Sequence, residues 1–64
     1  MKDATSYIVN QNGIVYNQNG DLIHRFIGLK PACRFVSNYI TNVRGKTFTE
    51  EWLLMGRSKI FTVA

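Results

Sequence analysis

The tetrapeptide Asn-Gln-Asn-Gly occurs twice, at residues 10–13 and 17–20, and this repeat constrains the fold more than any other feature. Asn-Gly favours tight β-turns because both residues reach positive φ at low cost. Each copy is flanked by β-branched or aromatic residues, Tyr7-Ile8-Val9, Ile14-Val15-Tyr16 and Leu22-Ile23, so the chain is expected to reverse twice in its first third. Two-residue turns would account for the spacing of the copies as one short strand, Ile14 to Gln18, plus one turn. On that reading the repeat is geometry and not a binding motif. The register then sets Val9 against Tyr16 and Tyr16 against Ile23. Side-chain alternation places Tyr7, Val9, Ile14, Tyr16, Ile23 and Arg25 on one face. Ile8, Asn10, Val15, Asn17, Leu22, His24 and Phe26 fall on the other. Neither face is polar, so one covering layer is not enough and the second face is expected to meet a helix or a further protein surface.

The covering helix is visible in the periodicity. Leu29, Ala32, Cys33, Val36, Ile40 and Val43 form one apolar stripe at helical spacing, Pro31 suits a first turn, and Gly45 suits a helix stop. A helix over 30–44 follows, with Lys30, Arg34, Asn38, Thr41 and Arg44 on its polar side. Residues 47–56 read as a short helix, with Thr47 as cap, Glu50 and Glu51 in its first turn and Gly56 as its stop. The alternative is a strand Trp52–Met55 joined by the loop Gly56–Lys59 to a strand Ile60–Val63. The expected class is therefore α+β, one domain over residues 1–64. It comprises a three-stranded antiparallel meander on one main α-helix, then a short helix or strand and a final strand.

At 64 residues the chain buries only about 60% of the surface it exposes when unfolded, so its core is small and a partner or homodimer would help to complete it. With one cysteine, Cys33, no internal disulfide can form, which favours a reducing compartment. No apolar run follows the opening Met-Lys-Asp-Ala-Thr-Ser, and none approaches the roughly 20 residues of a membrane span. A cytoplasmic protein without a membrane partner is expected.

Catalytic chemistry has little material to work with. Asp3, Asp21, Glu50 and Glu51 are the acids, and each has an ordinary role near a terminus, a turn or a helix start. His24 and Cys33 are each the sole residue of their kind, too few for a metal site, and Cys33 lies on the apolar stripe, where packing explains it better than nucleophilic attack. The glycines are dispersed and form no phosphate-cradling loop. No enzyme activity, metal or cofactor is expected.

Charge distribution points elsewhere. The formal net charge is +4, and from Leu22 to Thr49 the chain carries Arg25, Lys30, Arg34, Arg44 and Lys46 with no acid. Cations neutralise phosphates, aromatic rings stack on unpaired bases, and Asn and Gln bond base edges, so a basic, amide-rich sheet and helix suit nucleic acid. The candidate contact residues are Arg25, Lys30, Arg34, Arg44, Lys46, Arg57 and Lys59, with Tyr7 and Tyr16 as candidate stacking groups for which core packing is the favoured expectation. The order of three short strands and a helix over residues 6–44 resembles the arm-binding domains of phage-type integrases and AP2-like domains, which lay a sheet in the major groove. Val15 to Ile23, with Phe26 and the helix Lys30–Val36, is also similar to short DNA-binding repeats attached to some homing endonucleases. Both are resemblances of element order, and Arg25 is the one cation on the strands. The competing expectation is a small protein-binding inhibitor or adaptor, of the kind phages and mobile elements encode, acting through an apolar sheet face or edge strand.

Overall fold

A computed structural model describes all residues, Met1 to Ala64. The chain is α+β: strands β1 (Ser6–Val9), β2 (Ile14–Asn17), β3 (Leu22–Arg25), β4 (Phe48–Leu53) and β5 (Ser58–Val63) form one antiparallel sheet, with helix α1 (Leu29–Asn38) inserted after β3. The sheet order is β3-β2-β1-β5-β4, which places β1 at the centre and makes β3 and β4 the edges. Helix α1 packs on β1, β2 and β5. Its Ala32 and Val36, with Ile40 beyond its end, meet Tyr7, Val9, Val15 and Phe61 in a core that also contains Ala4.

The repeated tetrapeptide forms two equivalent three-residue loops, not two-residue turns. Asn10 N–H donates to the Ile14 carbonyl and Gly13 N–H to the Asn10 carbonyl, both at 3.0 Å. The Asn10 side-chain Oδ1 accepts from Asn12 N–H at 2.9 Å and from Ile14 N–H at 3.0 Å. Asn17 repeats the arrangement, its Oδ1 accepting from Asn19 and Asp21 N–H at 2.9 Å. The left-handed position falls to the glycines alone, φ 85° at Gly13 and 84° at Gly20. The first asparagine of each copy is therefore the residue whose side chain holds the loop, and the glycine supplies its left-handed position.

That extra loop residue shifts the expected register by one. Val9 pairs with Val15, and Ile8 with Tyr16. A slip of one residue sends every β2 side chain to the opposite face, so Val15 joins Tyr7 and Val9 in the core while Ile14 and Tyr16 take the outer face. A bulge displaces β3 as well: Val15 pairs with His24 but Tyr16 with Leu22, leaving Ile23 between them and packed against the core.

Residues 47–56 correct the expected short helix. Phe48–Leu53 is a strand whose Phe48, Glu50 and Trp52 lie opposite Val63, Phe61 and Lys59. This period-2 alternation, anchored by Phe48 on Phe61 at 5.5 Å between ring centroids, outweighs the helical propensity of Glu, Leu and Met. The hairpin loop falls at Leu54–Arg57, two residues earlier than the strand alternative places it.

The helix is also modified. After Asn38 the chain continues as a π-helical turn, Tyr39–Val43, in which Arg44 N–H reaches back five residues to the Tyr39 carbonyl at 3.0 Å. One residue added to a turn rotates all that follow by about 100°. Val43, expected on the apolar stripe, is exposed, and Arg44, expected on the polar side, swings over the core. Gly45, at φ 65°, ends the element as expected.

Candidate functional site

The cleft of the molecule lies where the first turns of α1 face the C-terminal half of β4. It has a volume of about 310 Å³ and is lined by Leu29, Lys30, Cys33, Arg34, Trp52 and Lys59. Helical spacing aligns Leu29 with Cys33 and Lys30 with Arg34 along α1. Trp52 enters from β4 and Lys59 from its partner on β5. Because α1 covers β1, β2 and β5, the β4 edge is left open, and Trp52 remains 54% exposed. The result is an apolar floor with one indole ring, rimmed by cations.

Those cations differ in state. Lys59 is held: its ammonium pairs with Glu50 and lies 4.8 Å from the Trp52 ring centroid and 5.4 Å from that of Phe61. Lys30 and Arg34 are exposed and belong to neither of the chain's ion pairs, which join Arg44 to Asp3 and Lys59 to Glu50. The Cys33 thiol is pushed above its ordinary pKa, first by burial, with Glu50 adding to the rise and Lys59 opposing it. A thiol held protonated is a poor nucleophile. His24 offers it no base, since the imidazole packs on Phe26 at 4.7 Å and Phe35 at 6.4 Å, away from the cleft.

Of the residues singled out from sequence, the fold brings Lys30, Arg34 and Lys59 together at this cleft. Arg25 lies on β3 opposite Ile14, and Arg57 lies in the β4–β5 hairpin loop; both are exposed. Lys46 is exposed beyond the π-helical turn, at the other end of the sheet. Arg44 is structural: its Nη1 donates to the Ala4 carbonyl at 2.6 Å and to the Tyr7 hydroxyl at 3.1 Å, and its Nε lies 3.6 Å from Asp3. That buried Nε has no hydrogen-bond partner, so the Asp3 contact is a loose electrostatic one. Tyr7 is fully buried, its hydroxyl accepting from Ala4 N–H at 3.0 Å and donating to the Lys2 carbonyl at 2.8 Å, which leaves no ring face for a base. Tyr16 stands on the outer face of the sheet, beside Ile8 and Leu22.

Trp52 and Cys33 were not among the candidate contacts. Read as part of a helix, Trp52 is one apolar residue among several; only strand pairing with Lys59 aims it at α1. Apolar alternation does not mark this strand in the sequence, because Glu50 interrupts the face that carries Phe48 and Trp52. No helix is long and apolar enough to cross a membrane, and no group of His, Cys, Asp and Glu is arranged to hold a metal ion. No known protein family, curated protein or solved structure matches the chain.

Proposed function

We propose that this is a small, non-catalytic nucleic-acid-binding module. One unpaired base stacks on Trp52 in the cleft, and Lys30 and Arg34 contact the adjoining phosphates. The supporting observation is the half-exposed indole beside two cations that lack acidic partners. Its volume of about 310 Å³ lies at the lower end of the range for ligand pockets, about 300–1,000 Å³, a size suited to one base at a time. Base–aromatic stacking contributes about 1–3 kcal/mol per base, and each phosphate contact adds salt-dependent affinity.

The chain's single tryptophan and single cysteine both line this cleft and serve as reporters. Titration with single-stranded DNA at two salt concentrations should quench Trp52 fluorescence, slow alkylation of Cys33 and weaken as salt rises. Lys30→Gln should lower the salt slope by about 1, and Arg34→Glu should abolish binding without unfolding the protein. Absence of binding at low salt refutes the proposal.

A second reading, capture of a protein partner or a second copy, is supported by the outer sheet face. There the pairings Leu22–Tyr16, Tyr16–Ile8 and Ile8–Ile60 run an apolar ladder across four of the strands, with no helix over it. Light scattering tests self-association, and Ile8→Lys should abolish any dimer observed.

A further inference from the structure

The hairpin joining β4 to β5 is built against local preference. Leu54 and Met55 adopt φ of 51° and 58°, the left-handed region, and are followed by Gly56 at 85°. Side chains with a Cβ are strained there, and tight hairpins normally assign such positions to Gly, Asn or Asp. These two residues are also apolar and in solvent, Leu54 72% and Met55 99% exposed. The loop thus carries backbone strain and exposed apolar surface together, a combination that persists at functional tips.

Topology brings this tip to the cleft. Trp52 is two residues before Leu54, and the β4–β5 hairpin, the Asn10–Gly13 loop and the start of α1 all lie at one end of the sheet. Ile27, 95% exposed, lies at the same end between β3 and α1. So do the cations Arg25, Lys30, Arg34 and Arg57, while Asp3 and Asp21 lie at the opposite end, Glu50 and Lys59 pair with each other, and Glu51 stands exposed on β4 opposite Ile60. Apolar tips of this kind act in nucleic-acid binding as wedges: Leu, Ile and Met insert at base steps while cations hold the flanking phosphates.

We infer that the preferred ligand is a junction, in which an unpaired base adjoins a duplex end: Trp52 takes the unpaired base and the Leu54-Met55 tip covers the exposed base pair beside it. The inference rests on the nucleic-acid reading above and specifies its substrate. An anionic membrane would also attract a basic apolar tip, but it would leave the Trp52 cleft without an occupant.

The test compares affinities for single-stranded DNA, blunt duplex and duplex with a short single-stranded overhang, using the wild-type chain and the double variant Leu54→Asn/Met55→Asn. The wild type should favour the overhang duplex by about tenfold over either other form. The double variant should lose that preference yet keep single-strand affinity, and its melting temperature should rise by about 4 °C or more as strain is relieved. A Leu54→Gly/Met55→Gly variant checks the same loss with a second pair of strain-free residues. Equal affinity for overhang and single strand overturns the wedge and leaves the binding module standing. No binding to any DNA removes both, as does binding confined to phosphatidylserine vesicles.

Discussion

The two copies of Asn-Gln-Asn-Gly permit a controlled experiment on what a glycine contributes. Gly13 and Gly20 follow the same three residues and share the same loop hydrogen bonds and nearly the same φ, 85° and 84°, although Ile14 follows one and Asp21 the other. Alanine at either position must enter the left-handed region, at about 1–2 kcal/mol. At Gly20 that is the whole effect, because an added Cβ would meet nothing within 4 Å. At Gly13 the Cβ would lie 2.4 Å from the Gly28 carbonyl oxygen and 2.8 Å from both Gly28 N and the Phe26 carbonyl oxygen. All three are backbone atoms, held by Phe26 N–H donating to the Gly13 carbonyl at 2.9 Å and Gly28 N–H to the Asn12 carbonyl at 3.2 Å. Overpacking of this kind adds about 1–3 kcal/mol, so Gly13→Ala should destabilise by about 2–5 kcal/mol in total. Urea unfolding of both variants measures the difference directly. Thermal scans should separate the midpoints by about 4 °C or more, since a domain of this size shifts by about 4–8 °C per kcal/mol. Equal losses, or a larger one at Gly20, would refute the idea that tertiary contact between this loop and the start of α1 distinguishes the copies.

The remaining predictions concern groups that reach across the fold. Arg44→Met keeps the aliphatic stem but removes the donors to Ala4 and Tyr7, so it should lower stability by about 1–3 kcal/mol, whereas Arg34→Glu at the cleft rim should stay within about 0.5 kcal/mol. The Tyr39 phenol lies within bonding distance of the Asp3 carboxylate and the Met1 carbonyl, and its pKa is raised above 10.0 chiefly by the Asp3 hydrogen bond, with desolvation next. A phenol whose folded pKa exceeds its unfolded one stabilises fully below the unfolded value, and the contribution is lost as pH rises through the folded value. Wild-type stability should therefore fall above about pH 10 more steeply than that of Tyr39→Phe, and matching alkaline profiles would exclude the Asp3 bond as the cause.

The cleft and the strained hairpin share one physical origin. A single helix of ten residues cannot cover five strands. It lies over the central strands and leaves the β4 edge uncovered, so Trp52 is only half buried and the adjoining tip projects beyond it. Surface that would otherwise be core is thereby left available to a ligand. Arg25, Lys30, Arg34 and Arg57, four cations outside the two ion pairs, lie at the same end, and on that ground we propose nucleic acid as the partner.

The sequence by itself determined the α+β class, the two reversals, the helix beginning near Leu29 and ending at Gly45, and the strand Ile60–Val63, because these follow from local propensity and hydrophobic period. Register escaped it. Whether Asn-Gly closes a two- or a three-residue loop depends on the side-chain oxygen of the preceding Asn10 or Asn17 capturing backbone N–H groups, and that one-residue difference exchanges Val15 for Ile14 and Tyr16 in the core. Within residues 47–56, Phe48–Leu53 became a strand, the alternative the sequence left open, because its cross-strand pairs with β5 outweigh local helical propensity. The basic segment was evident in the sequence, but its division was not. Only the π-helical turn sends Arg44 inward to Tyr7, and only the folded sheet sets Trp52 beside Lys30 and Arg34, because both outcomes depend on what lies across the core.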